Sequence, residues 1–127
     1  GSFAGAELLA LTPEGRLVAA IHGELRRLQS EDTSLFHERH IESIVVSARG
    51  GGTLAAPAGG LIHLDRDHPV VARLLADGGA EPFGLGLAVS AAYTALNVAH
   101  DEIVDAHELA FHRLHAAHLV AAMAIVG

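Results

Sequence analysis

The 127-residue chain has no cysteine, no lysine and no tryptophan, and its aromatic residues are one tyrosine and four phenylalanines. Without cysteine there is no disulfide, no thiolate metal ligand and no cysteine nucleophile, which suits a reducing, cytoplasmic setting. Without lysine there is no P-loop: Gly50-Gly51-Gly52 is not followed by Lys and Ser or Thr, and no ammonium group can reach a phosphate. A Gly-x-Ser-x-Gly nucleophile elbow is also missing. All eight basic residues are arginines, only Arg26 and Arg27 sit together, and the formal charge is −7. Binding to phosphate backbones rests on clustered cations, so neither nucleic acid nor an anionic membrane is an expected partner.

Long apolar runs are scarce as well. The longest uncharged stretch, Pro82 to Ala99, is diluted by Gly84, Gly86, Ser90, Tyr93, Thr94 and Asn97, which reads as a buried helix rather than a membrane span. No basic segment leads into an apolar signal sequence near the start. What is abundant is alanine, with 24 positions, and histidine, with 10. The length predicts one domain over residues 3–127. Gly1-Ser2 reads as a cloning remnant, and the apolar run Leu119 to Val126 as the edge of a segment taken from a longer protein. Arginine in place of lysine, with so much alanine and glycine, is the composition of GC-rich bacterial coding.

Prolines punctuate the chain. Thr12-Pro13-Glu14 supplies an N-cap, a first-turn proline and a first-turn acid, and Leu17, Ile21, Leu25 and Leu28 share one helical face, so a helix is expected over 13–29. Residues 30–40 lack a steady period and read as a loop or one helical turn. The β-branched run Ile44-Val45-Val46 places a strand at 42–49, and Thr53 to Ala56 a second. Pro57-Ala58-Gly59-Gly60 then turns the chain into a third strand over Leu61 to Asp65. Asp67-His68-Pro69 opens the next helix with Asp67 as cap, and Gly78-Gly79 ends it. Pro82 starts a helix to about residue 99, and Asp105-Ala106-His107-Glu108 matches a capping box for a last helix over 106–124. The short turn from His100 to Val104 predicts an αα-hairpin. The expected fold is α+β: a small antiparallel β-hairpin or three-stranded meander packed against about four helices, closed by that αα-hairpin.

The last helix carries the strongest chemical signal. His107, Glu108, His112, His115 and His118 fall within an arc of about 140° at 100° per residue. Glu108 and His112, one turn apart, could chelate a metal, with His115 as third ligand, although neither the zincin His-Glu-x-x-His spacing nor the di-iron Glu-x-x-His spacing is present. The same face also reads as solvated, or as pH-responsive. On the preceding helix Ser90, Thr94, Asn97 and Asp101 form a polar stripe, which must face water or find specific partners. On a strand, His63, Asp65 and Asp67 would share one face, a hard-donor set for a divalent ion.

Three short strings resemble known families. His63-Leu64-Asp65-Arg66-Asp67-His68 resembles the metallo-β-lactamase motif His-x-His-x-Asp-His, but Asp65 stands where that family has its second histidine, and the chain is too short for the four-layer fold. His100-Asp101 is similar to the dipeptide that names HD phosphohydrolases, whose all-helical fold differs from the mixed one expected here. Asp67-His68-Pro69-Val70-Val71 resembles strand-to-helix joins in the second domain of GHKL-type ATPases, over too few residues to carry a role across. No catalytic residue or cofactor emerges. The expectation is a non-catalytic interaction or regulatory module of a larger bacterial protein, meeting a protein partner, its parent protein or a second copy. The alternative is a small metal-dependent hydrolase, or a metal or pH sensor, built on Glu108, His112 and His115.

Overall fold

A computed structural model describes residues 12–48, 52–78 and 81–126, with side chains described as far as Ala121. Gly1-Ser2, Gly50-Gly51 and Gly79, and the side chains of the run Leu119 to Val126 beyond Ala121, lie outside the described residues. Thr12 Oγ1 accepts from the Gly15 N–H at 2.9 Å and Pro13 takes the first helical position, where no N–H is needed, so α1 (Pro13–Glu31) begins as its sequence dictates. Its buried residues are Leu17, Ile21, Leu25 and Leu28. Of the segment 30–40 expected as a loop or one turn, residues 32–37 are the link, because α1 runs on to Glu31 and a short helix, α2 (Glu38–Glu42), takes the rest and the start of the strand expected from 42; then come β1 (Ile44–Ser47), β2 (Ala55–Ala58), β3 (Leu61–Asp65), α3 (Pro69–Ala76), α4 (Pro82–Ala99) and α5 (Asp105–Val126). The fold is α+β.

The β2–β3 hairpin is antiparallel, and Gly59 and Gly60, with φ of +60° and +81°, form its two-residue turn. Positive φ at both turn positions matches the right-handed twist of the strands and excludes most side chains. The turn is therefore shorter than the Pro57 to Gly60 segment expected. Pro57 lies within β2, opposite Ile62, and is tolerated because β2 is an edge strand. Nothing crowds a Cβ at Gly60, so the cost of replacing it is conformational. Gly60→Ala is expected to lower stability by about 1–2 kcal/mol, seen as a lower urea midpoint at unchanged slope, and Gly60→Asn to lose less.

β1 departs from a meander. It pairs with β3 in parallel, from Ile44 opposite Ile62 to Ser47 opposite Asp65, giving the strand order β1-β3-β2. β3 takes the centre because it can be buried on both sides: Ile62 and Leu64 enter the core, while His63 and Asp65 find polar partners on the other face. Its exit also differs from expectation. The cap of α3 is His68, whose Nδ1 accepts from the Val70 N–H at 3.2 Å, and the Asp67 N–H donates to Asp65 Oδ1 at 2.9 Å.

The helices cover the inner face of the sheet around one core. α4 is long and apolar enough to cross a membrane by length and composition, and seven of its residues between Gly86 and Leu96 are buried in that core. The core's aromatic centre is Tyr93 stacked on Phe111, ring centroids 4.0 Å apart and nearly parallel, with Phe36 edge-on to both. Tyr93 Oη donates to the Leu35 carbonyl at 2.7 Å, which fastens the loop after α1 to α4. Burial pushes the phenol pKa up, so the hydroxyl keeps its proton.

Candidate functional site

The polar stripe of α4 and the histidine face of α5 meet each other. Asn97 Nδ2 donates to Glu108 Oε1 at 2.9 Å and to Asp105 Oδ1 at 3.1 Å, and Ser90 Oγ shares a hydrogen bond with His115 Nδ1 at 3.1 Å. Between these pairs Tyr93 stacks on Phe111, and farther along Gly86 makes room for Leu119, whose Cδ2 would stand 2.6 Å from any Cβ there. Partners on α5 advance as those on α4 recede, so the hairpin is antiparallel. Thr94 and Asp101 are exposed.

This seam redistributes the groups expected to cap α5 and to bind metal. The helix opens at Asp105, one residue earlier than the capping box required, with the Val104 carbonyl accepting from the Glu108 N–H. His107 Nδ1 accepts from the Val104 N–H at 3.2 Å, while Asp105 and Glu108 are taken up by Asn97. Of the three expected ligands, Glu108 and His112 remain neighbours, with Oε2 and Nε2 3.6 Å apart. His115 is buried against the Phe111 ring and hydrogen-bonded to Ser90, and burial holds its pKa below the usual histidine value. His118 reaches across to hydrogen-bond Glu31 at the end of α1.

The His63, Asp65 and Asp67 set is likewise engaged within the fold. His63 lies between Ser47 Oγ, 2.8 Å from Nδ1, and the Ala58 carbonyl, 3.2 Å from Nε2. Asp65 accepts from the backbone N–H groups of Asp67 and Gly52, which hold its carboxyl below the usual carboxylate range.

A different cluster gathers at the turn of the hairpin, where sequence spacing gives no signal. His40 is buried in the middle of the short helix α2, and its Nδ1 accepts from the His37 N–H at 2.9 Å. Its Nε2 stands 2.9 Å from Glu102 Oε1, and its ring centroid is 4.7 Å from that of His100. His100 and Glu102 belong to the turn between α4 and α5, which is closed by the Ile103 N–H on the His100 carbonyl at 3.1 Å and anchored by buried Ile103. Arg39 Nη2 also meets Glu102 Oε1, at 2.8 Å, and Arg39 and His40 together pull the Glu102 pKa down to about 2. Burial lowers that of His40. Among the described residues this is the trio of histidine and carboxylate groups whose ligand atoms all lie within 4.8 Å of one another. In the sequence His100-Asp101 is a recognisable dipeptide and residues 37–40 are part of an aperiodic polar segment; that the two meet across some sixty residues is a product of the fold.

The chain matches no family model, no curated protein and no solved structure. Its remaining distinctive surface is apolar. Phe83, Leu87 and Val98 are 54%, 55% and 73% exposed on α4, and with Ala91 and Thr94 they fall within about 80° of one helical face. Beside them lies an open groove of about 310 Å³ lined by Pro69, Val70, Leu74, Phe83, Gly84 and Leu87, together with the charged Arg73 and Glu81. On α5, Leu109, Ala116 and Val120 form a second exposed stripe, interrupted by Arg113.

Proposed function

We propose that the chain is a non-catalytic protein-interaction module that docks through the outer stripe of α4, with a second copy of the chain as its occupant. The observation that carries this reading is the stripe itself. Large apolar side chains at spacings of four and eleven residues, Phe83, Leu87 and Val98, lie outside the core from one end of the helix to the other, although the inner face of the same helix is already packed. Electrostatics favour self-association at this place. A chain of net charge −7 repels its copies, but no charged residue occurs from Pro82 to Ala99, so two such stripes can meet without burying like charges. The shape suits a two-fold crossing, with bulky Phe83, Leu87 and Val98 toward the ends and the smaller Ala91 and Thr94 between them. In a longer protein the same contact would hold two parent chains together. Metal chemistry at Glu108, His112 and His115 has less support, because Asn97 and Ser90 engage two of the three groups.

Sedimentation velocity over a wide concentration series tests the reading. The wild-type chain is expected to pass from monomer to dimer. Leu87→Asp, an exposed position outside the core, is expected to remain monomeric with its helix content unchanged. A wild-type chain that stays monomeric throughout, or a Leu87→Asp chain that dimerises equally well, overturns it.

A further inference from the structure

We propose that His40, His100 and Glu102 form a binding site for a divalent transition-metal ion of the zinc class, with one coordination position left open to solvent. Two imidazoles and one carboxylate are a donor set used by three-ligand zinc centres, and imidazole suits zinc, copper and nickel over magnesium or calcium. Ligand atoms around tetrahedral zinc stand about 3.3 Å apart, given metal–ligand distances of about 2.0–2.1 Å. The three atoms here already lie within 4.8 Å of one another, so closure requires movement of up to about 1.5 Å. The parts able to move are those on the turn: Glu102 is 44% exposed, whereas His40 is fixed in the core. That exposed side is also where the open position would face.

Two neighbours give the site its particular behaviour. Arg39 now supplies the positive charge beside Glu102, and a metal ion would take over that role, so guanidinium and metal compete for one carboxylate. The second neighbour is the His37 N–H. Because His40 Nδ1 accepts from it, a neutral His40 carries its proton on Nε2 and offers it to Glu102. A metal on Nε2 requires that proton to move to Nδ1, with no net loss of charge, and Nδ1–H can no longer accept from His37. Loading therefore breaks the hydrogen bond at the start of α2 and frees the His37 amide, a signal that metal adhering to surface histidines would not produce.

Isothermal calorimetry with zinc ions on the whole chain, with amide hydrogen exchange followed at His37, tests the site. One saturable zinc per chain is expected in the micromolar range, with faster exchange at His37 on loading. His100→Gln and Glu102→Gln, both on the partly exposed turn, are each expected to weaken binding by at least about tenfold. Arg39→Gln is expected to tighten it by up to about fivefold, the most that an exposed ion pair can withhold. His112→Gln is expected to leave it unchanged. Absence of saturable binding, or binding that survives in His100→Gln and is lost in His112→Gln, overturns the proposal.

Discussion

Phe111→Ala is expected to destabilise the chain by about 3–5 kcal/mol, the range for emptying a buried aromatic site. Domains of this size are stable by about 5–15 kcal/mol, so the loss is a large share of the total. The loss is large because Phe111 is fully buried and its ring ties α5 to two other parts of the chain. It stacks on Tyr93 of α4, takes the edge of Phe36 from the loop before α2, and lies 5.4 Å from the ring of buried His115. Alanine removes all three contacts, and a helix gripped on both sides by Asn97 and Ser90 cannot slide inward to fill the space. Urea denaturation should show the midpoint fall at unchanged slope, and Phe111→Leu should recover much of it. A loss below about 1 kcal/mol in Phe111→Ala would mean that the aromatic stack does not hold the seam.

Acidification is the second large effect. His22 donates from Nε2 to the Ile44 carbonyl at 3.2 Å, and His115 pairs with Ser90. Burial is the main reason that both pKa values lie below 6.5, and His40 shifts the same way. The unfolded chain therefore takes up protons first as the pH falls. Stability is complete above about 6.5 and is lost progressively below it, down through the folded-state values. His115 faces Ser90 on α4, Glu24 and Arg27 on α1, and His112 and His118 on its own helix; of these Glu24 alone favours its protonation. The melting temperature is expected to fall between pH 7 and pH 5.5, and the fall to be smaller in the double variant His22→Gln, His115→Gln, with His40 accounting for the remainder. A melting temperature that holds or rises on acidification would contradict the burial of these rings as neutral groups.

The helical skeleton is legible in the sequence because its signals are local. Thr12-Pro13 and the spacing of Leu17, Ile21, Leu25 and Leu28 define α1, and Pro82 to Ala99 is α4 to the residue. The sheet is less legible because strand order depends on contacts far apart in sequence. Nothing within Ile44-Val45-Val46 says that it will lie parallel to β3 rather than beside β2, and Pro57 reads as a turn until its strand is known to be an edge. Caps failed where another acceptor or donor competed. Asp105 and Glu108 satisfy a capping box on paper, yet Asn97 on the neighbouring helix claims both. The same competition dispersed the expected metal face, since a histidine at helical spacing also lines up with whatever the next helix offers. The cluster of His40, His100 and Glu102 draws on two segments with no shared spacing, and packing of the α4–α5 turn against α2 is what assembles it.

The docking role proposed for α4 can be tested most directly because the chain has no cysteine. A spin label on Thr94→Cys, an exposed position in the middle of the stripe, would be the single label on each molecule. Pulsed dipolar spectroscopy is expected to show a defined distance between labels on two copies, and the signal should vanish when Leu87→Asp is added. A decay with no component beyond the random background, at concentrations where the chain remains folded, would contradict the proposal that this face joins two copies.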